Sequence, residues 1–297
     1  MWSSALLLVA AVAATAVVHA VEFHQYDRLS HDTLKLGERP HPHNHTRRVQ
    51  GYAFLHLDER SDAARAQNRL PPPTAKSVHF RRSERAQLAG EAGGDGVALD
   101  AGCTAPISDG AVWRTARGYF INARNSQGLS AAFIERAVAR AVRRWACVLE
   151  SRTERLVIGP LLGVRSDRDG SAIRSDRPDG ANEIGLATID GRPGTVALTV
   201  LWGVFDGPAA ERELTEFKMF FDQAHYRFGN ATEQGAAVID FEATATHEFG
   251  HAHGLDDIYE SRCTGVTMFA TSALGETNKR TLEGSDIAGV VDQYDFR

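Results

Sequence analysis

His247, Glu248 and His251 stand as H-E-x-x-H, and the run continues through Gly254 to Asp257, so residues 247–257 read H-E-x-x-H-x-x-G-x-x-D. On a helix, two residues four apart lie about one turn from each other on one face. The imidazoles of His247 and His251 can then reach one ion, and neutral imidazole nitrogen is a good ligand for zinc. Glu248 sits beside the first histidine, placed to take a proton from water activated by the metal rather than to bind the ion. A catalytic zinc site takes three protein ligands and keeps one position open, so a third ligand is needed. Gly254 suits the end of the helix, because glycine accepts positive φ and lets the chain turn back. Asp257, three residues on, can then bring a carboxylate oxygen to the ion, with neighbouring Asp256 as the alternative. The added glycine and acid at fixed offsets make this pattern far more specific than H-E-x-x-H alone. The chemistry indicated is hydrolysis, with Glu248 as general base and then general acid.

The segment resembles the metzincin metallopeptidases, whose long motif ends in His or, in some branches, in Asp. Met268, within Cys263-Thr264-Gly265-Val266-Thr267-Met268-Phe269, stands at a suitable distance for the methionine turn of that family. The order Asp257, Tyr259, Cys263, Met268 is similar to the snapalysin branch. The flanks look more like matrixins: Trp145 in an early helix, Asp179-Gly180-Ala181-Asn182-Glu183 before a strand, and a final Asp286-Ile287-Ala288-Gly289-Val290. The likeness spans about residues 106–297. It implies an α+β, metzincin-like zincin catalytic domain, with a twisted, mostly parallel sheet, two long helices, an active-site helix, a C-terminal helix and an irregular lower part after Gly254. It implies a secreted zinc metalloendopeptidase acting on protein or peptide substrates. Met268 would support the site from below without binding the ion, and Tyr259 would stabilise an oxyanion or simply pack. Leu214–Phe221, just before the active-site helix, would line the cleft and pair with substrate, the plain alternative being a covered strand. Two other readings of the same residues are a secreted zinc-binding protein without turnover, which an intact Glu248 argues against, and a zinc amide hydrolase of non-protein substrates.

Three cysteines, Cys103, Cys147 and Cys263, allow three single bridges and leave one thiol over. One reading pairs Cys103 or Cys147 with Cys263 and fastens the loop before the methionine turn. The resemblance to matrixin zymogens suggests another, in which Cys103 is a thiolate switch on the metal. The surrounding Ala101-Gly102-Cys103-Thr104-Ala105-Pro106 lacks that family's charged consensus, so the structural bridge is preferred.

The elements that must position these groups are legible around them. Ser130 precedes Phe133, Ile134, Ala137, Val138, Ala141, Val142, Trp145, Val148 and Leu149, one apolar helical face with a serine cap. Tyr119–Ile121, Leu156–Ile158, Ile184–Ile189 and Val196–Trp202 read as strands. The site helix is expected from a cap at Asp240 to Gly254, with Phe241, Ala245, Phe249 and Ala252 buried and His253 off the metal face. A last helix begins at Ser285, carrying Ile287, Val290, Val291 and Tyr294. Asp167-Arg168-Asp169-Gly170 and Asp176-Arg177-Pro178-Asp179-Gly180 could hold Ca2+, but the full ligand spacing is missing and plain turns are preferred.

With 297 residues, 43% hydrophobic and 24% charged, the chain can bury one sizeable core and a second small segment. A net charge of −5 gives no reason to expect nucleic acid or an anionic membrane as partner, and a monomer is expected. Residues 1–20 fit a secretory signal peptide cleaved after Ala20, the alternative being a membrane anchor; the protein is therefore read as extracellular, with no membrane contact after cleavage. Residues 21–105 read as a propeptide or N-terminal extension, largely flexible, ahead of the catalytic domain at 106–297. They carry many histidines, Pro71-Pro72-Pro73, a glycine stretch from Gly90 to Gly96, and the dibasic pairs Arg47-Arg48 and Arg81-Arg82. The His41-Pro42-His43-Asn44-His45 cluster reads as a solvated run. Asn44 and Asn230 head glycosylation sequons, the second placing residue 230 on the surface.

Overall fold

The computed structural model describes residues 27–28, 33–41, 44–60, 102–107, 111–153, 158–165, 173, 175–189 and 194–295. Three strands come from the N-terminal segment: β1 (Asp27–Arg28), β2 (Thr33–His41) and β3 (Asn44–Asp58). Then follow β4 (Val112–Trp113), β5 (Arg117–Asn122), helix α1 (Ala131–Thr153), β6 (Ile158–Arg165), β7 (Glu183–Ala187), β8 (Thr195–Val204) and β9 (Glu213–Asp222). The chain continues through β10 (Phe228–Gly229), the short helix α2 (Ala231–Gln234), β11 (Ile239–Asp240), the site helix α3 (Phe241–Ala252), β12 (Thr271–Ser272) and helix α4 (Gly284–Asp295).

One mixed sheet of ten strands organises the molecule, in the order β1-β2-β3-β8-β9-β7-β5-β6, with β12 beside β3 and β4 beside β9. The pairs from β9 through β7 and β5 to β6 are parallel. Those from β9 through β8 and β3 to β1 are antiparallel. The expectation of a mostly parallel sheet thus describes one half of it. The other half arises because the N-terminal segment joins the sheet, which corrects the reading of 21–105 as largely flexible for residues 33–41 and 44–58. That segment has too few apolar residues for a core of its own. Its strand β3 borrows one, burying Tyr52 and Phe54 on one face and Ala53, Leu55 and Leu57 on the other.

The strand expected to pair with substrate is also corrected. Leu214–Phe221 lies in β9, flanked by β7 and β8, so neither edge is free. The alternation there gives way to a strand buried on both faces, as expected of a central strand.

Helix α1 forms where the apolar spacing predicts it: Ile134, Val138, Val142, Trp145 and Leu149 are all buried, and Ser130 Oγ accepts the Phe133 amide at 3.2 Å. Asp240 caps α3 by accepting the Ala243 amide at 2.8 Å. The helix is buried along its whole length, because α1 covers one side and the sheet the other. Trp145 binds the two helices together, its indole N–H donating to the Thr246 carbonyl at 2.8 Å. Gly250 carries no Cβ where Met268 Sδ and the Trp145 ring press against α3, which lets both pack directly under the site. Among the described residues no helix is long and apolar enough to cross a membrane. Residues 1–20, Asp167–Gly170, Arg81-Arg82 and the glycine stretch lie outside the described residues, as do the side chains of His41, Asn44 and His45.

Candidate metal centre

Helix α3 delivers His247 and His251 to one face, one turn apart, as the four-residue spacing requires. After His253 the chain turns at Gly254, whose φ of 95° is in the region that favours glycine. Leu255 N–H then closes back on the Gly250 carbonyl at 3.1 Å, and the turn brings Asp257 round to the histidines. The Nε2 atoms of His247 and His251 are 3.0 Å apart. Asp257 Oδ1 lies 3.2 Å from the first and 3.6 Å from the second.

The protonation of these rings is dictated by their other nitrogens. His247 Nδ1 faces the Thr267 carbonyl at 2.8 Å, and His251 Nδ1 the Leu255 carbonyl at 2.9 Å. A carbonyl only accepts, so each Nδ1 carries the proton and donates it. Burial holds His247 well below the usual imidazole range and lowers His251 to about 4, so both rings are neutral. Each Nε2 is then a bare lone pair, and two lone pairs and a carboxylate oxygen converge with no proton among them. The arrangement is repulsive on its own and is satisfied by a cation, so this buried His-His-Asp group could hold a metal ion.

A fourth donor lies close by. His56, on β3, His247 and Asp257 present donor atoms all within 4.8 Å of one another. His247 and Asp257 belong to both groups; the donor atoms of His247, His251 and Asp257 lie 3.0–3.6 Å apart, and backbone carbonyls set the tautomers of the two helical histidines. We place the centre on these three and treat His56 as an addition to it.

Glu248 points from α3 to β8, where Thr199 Oγ1 donates to its Oε2 at 2.5 Å. Its Oε1 is buried with no hydrogen-bond partner, and burial raises the carboxyl well above its ordinary value. Tyr259 reaches the same centre through its hydroxyl, 3.4 Å from Asp257 Oδ2, so it contacts the carboxylate rather than merely packing. Asp256, the alternative to Asp257, has its Oδ1 engaged by the Asp257 amide at 2.9 Å. His253 is buried between Trp145 and Tyr294, with Nδ1 donating to the Phe249 carbonyl at 2.6 Å, and is no ligand.

Met268 lies beneath α3. Its turn is held by Asp286 on α4, whose two carboxylate oxygens accept the Thr267 amide at 2.9 Å and the Met268 amide at 3.0 Å. Since Thr267 also supplies the carbonyl that orients His247, Asp286 acts on the centre through one peptide unit. Thr199 and Lys279 escape the sequence reading, and Asp286 enters it only as part of a matrixin-like flank, without a role. Lys279 is buried, donates to the carbonyls of Phe269 and Thr271, and is lowered to about 8 by desolvation. Nothing in the spacing of these three marks them, because each works across a distant packing contact.

The cysteine alternatives resolve into a bond between Cys103 and Cys263, with Cys147 free and exposed. Cys103 therefore has no thiolate to place on a metal, which removes the switch reading. The bridge lies beside a second clasp, in which Ile107 N–H meets the Gly254 carbonyl at 2.9 Å and Asp256 N–H the Ala105 carbonyl at 2.6 Å.

The acidic loop at 176–180 is also resolved. Lys218, fully buried, places its ammonium 2.7 Å from Asp179, 2.7 Å from Glu183 and 3.3 Å from Glu216. Lys218 thus supplies, from within, a cation to the carboxylates of Asp179 and Glu183. Asn230 is half-buried rather than a free surface position: its Nδ2 donates to Glu233 at 2.7 Å and its Oδ1 accepts from Arg280 at 2.6 Å. A glycan there would have to disturb that contact.

Neither a scan against protein-family models nor a search of curated proteins finds a match to this chain.

Proposed function

We propose that the protein is a secreted zinc endopeptidase of the metzincin type, holding zinc through His247, His251 and Asp257. The observation that carries this reading is the convergence of two neutral Nε2 lone pairs and a carboxylate oxygen at 3.0–3.6 Å. Tetrahedral zinc with ligand distances near 2.0–2.1 Å sets its ligands about 3.3 Å apart, which these separations bracket. When bound, zinc supplies Lewis acidity, polarising a carbonyl and making water acidic enough to lose a proton near neutrality.

The chain's own groups do the rest. Glu248 Oε1, with no partner of its own, takes the proton from water and later gives it to the departing amine. Its Oε2 is meanwhile anchored by Thr199, so the carboxylate cannot swing away. Tyr259 and the main-chain carbonyls of Thr267 and Leu255 keep the donors aimed at one point. The N-terminal signal and the disulfide agree with an oxidising, extracellular setting.

The test is cleavage of casein or gelatin by the secreted, processed protein, beside Glu248→Ala and beside a zinc chelator, with bound zinc counted in each. Cleavage lost in both cases while Glu248→Ala keeps its zinc supports the reading. Zinc bound with no peptide cut after removal of the N-terminal segment leaves a zinc-binding protein without turnover.

A further inference from the structure

Strand β3 lies across the metal centre. One edge pairs antiparallel with β8, setting Phe54 opposite Thr199 and His56 opposite Ala197. The other pairs antiparallel with β2 over residues 44–54 and then meets β12 in parallel, with Leu57 N–H on the Ala270 carbonyl at 3.2 Å and Glu59 N–H on the Ser272 carbonyl at 3.1 Å. Both edges of an extended peptide are thus hydrogen-bonded, in a groove whose floor is the ligand set. The pleat turns Phe54 and His56 to that floor. Phe54 stacks on His251, with ring centroids 4.5 Å apart and planes 12° from parallel, and His56 lies over His247 at 3.9 Å.

A histidine at position 56 is costly in a strand buried on both faces, unless its nitrogens are used. Its Nε2 meets Ser272 Oγ at 2.6 Å. Its buried Nδ1 makes no well-formed hydrogen bond and has only the Ala270 carbonyl, shared with the Leu57 amide, as a backbone partner. One His56 ring nitrogen lies within 4.8 Å of donor atoms of both His247 and Asp257, which puts the imidazole within reach of an ion they would hold. Strand and groove also fit in shape: Gly51 is paired with Trp202, whose ring atoms would lie 2.5–2.7 Å from any Cβ placed there.

We propose that β3 is a self-supplied occupant of the peptide groove, with His56 as a fourth protein ligand that closes the centre of His247, His251 and Asp257. The proposal rests on the metal-centre reading and adds to it. While β3 is in place, the open position is filled and the β8 edge is taken, so no other peptide can enter. β9 holds the other edge of β8, leaving only the one that β3 covers. Opening the centre means removing β3.

The test uses the full chain loaded with Co2+, read by its visible absorption, by azide addition and by the rate at which a chelator strips the metal. In wild type, azide leaves the spectrum unchanged. In His56→Ala one equivalent of Co2+ is retained, azide shifts the spectrum, and stripping is faster by on the order of tenfold or more. Gly51→Val, which keeps His56 but forces β3 off Trp202, becomes azide-sensitive in the same way, and near-ultraviolet circular dichroism confirms that each variant is folded. If azide shifts wild type as it does the variants, or if His56→Ala matches wild type in spectrum and stripping rate, the proposal is overturned. If Co2+ binds equally to wild type and to His247→Ala, the metal centre itself fails, and this inference with it.

Discussion

Thr199 on β8 donates its hydroxyl to Glu248 Oε2 at 2.5 Å, tying the sheet to the site helix at the one carboxylate proposed to move a proton. Valine keeps the shape of threonine and removes the donor. Thr199→Val should therefore lower kcat on a peptide substrate by roughly tenfold, about the worth of one hydrogen bond to a charged group. KM and zinc content should stay unchanged. Steady-state kinetics of the processed protein checks this, and an unaltered kcat would show that Glu248 needs no anchor.

Asp257 and Asp256 are adjacent and chemically alike, and Asp257 is the one whose Oδ1 lies 3.2 and 3.6 Å from the histidine Nε2 atoms. Asp257→Asn should weaken metal binding at least about 100-fold, the upper end of what even an outer partner of a ligand contributes. Asp256→Asn should retain the ion, since an asparagine Oδ1 can still accept the Asp257 amide. Metal counted after dialysis against a graded chelator separates the two, and equal losses would sink the assignment.

The Cys103–Cys263 bond closes a loop with a sequence separation of 160. On the loop-entropy account its removal costs about 3–5 kcal/mol. Cys103→Ser should accordingly lower the midpoint of thermal unfolding by several degrees, while alkylation of exposed Cys147 should leave it in place. Thiol titration of the denatured, unreduced protein should find one thiol per chain.

Lys218 is surrounded by three carboxylates, and the fully buried Glu216 is the one that keeps a proton. Burial pushes Glu216 up to about 7 against 4.5 for a free carboxyl, while the surrounding carboxylates keep the Lys218 ammonium charged. A carboxyl raised in the fold holds its proton where the unfolded chain has lost it. Its contribution is complete below 4.5 and declines as pH climbs to about 7, where it levels off. Denaturant unfolding between those limits should show a loss on the order of 1–3 kcal/mol that Glu216→Gln flattens. A calcium chelator should leave the stability of this loop unchanged, because Lys218 supplies its cation.

The spacing 247-251-254-257 was enough to predict that His247, His251 and Asp257 come together, because a helix and a glycine turn are local objects with fixed geometry. The same holds for the Ser130 and Asp240 caps and for the apolar face of α1. Other features depend on segments far apart in the chain, and local pattern is silent about them. The pairing of β3 with β8 joins residues roughly 140 positions apart, and a strand with two apolar faces does not announce which edge it will find. The choice of Cys263 for Cys103, the ammonium of Lys218 among the acids of residues 179–183, the support of Met268 by Asp286, and the imidazole of His56 over His247 are all decided by packing. The sequence alone determined that two imidazoles and a carboxylate could meet at one point. The tertiary structure alone decided what surrounds them and what covers them, because burial and hydrogen bonding at a site are set by whichever distant segments arrive there.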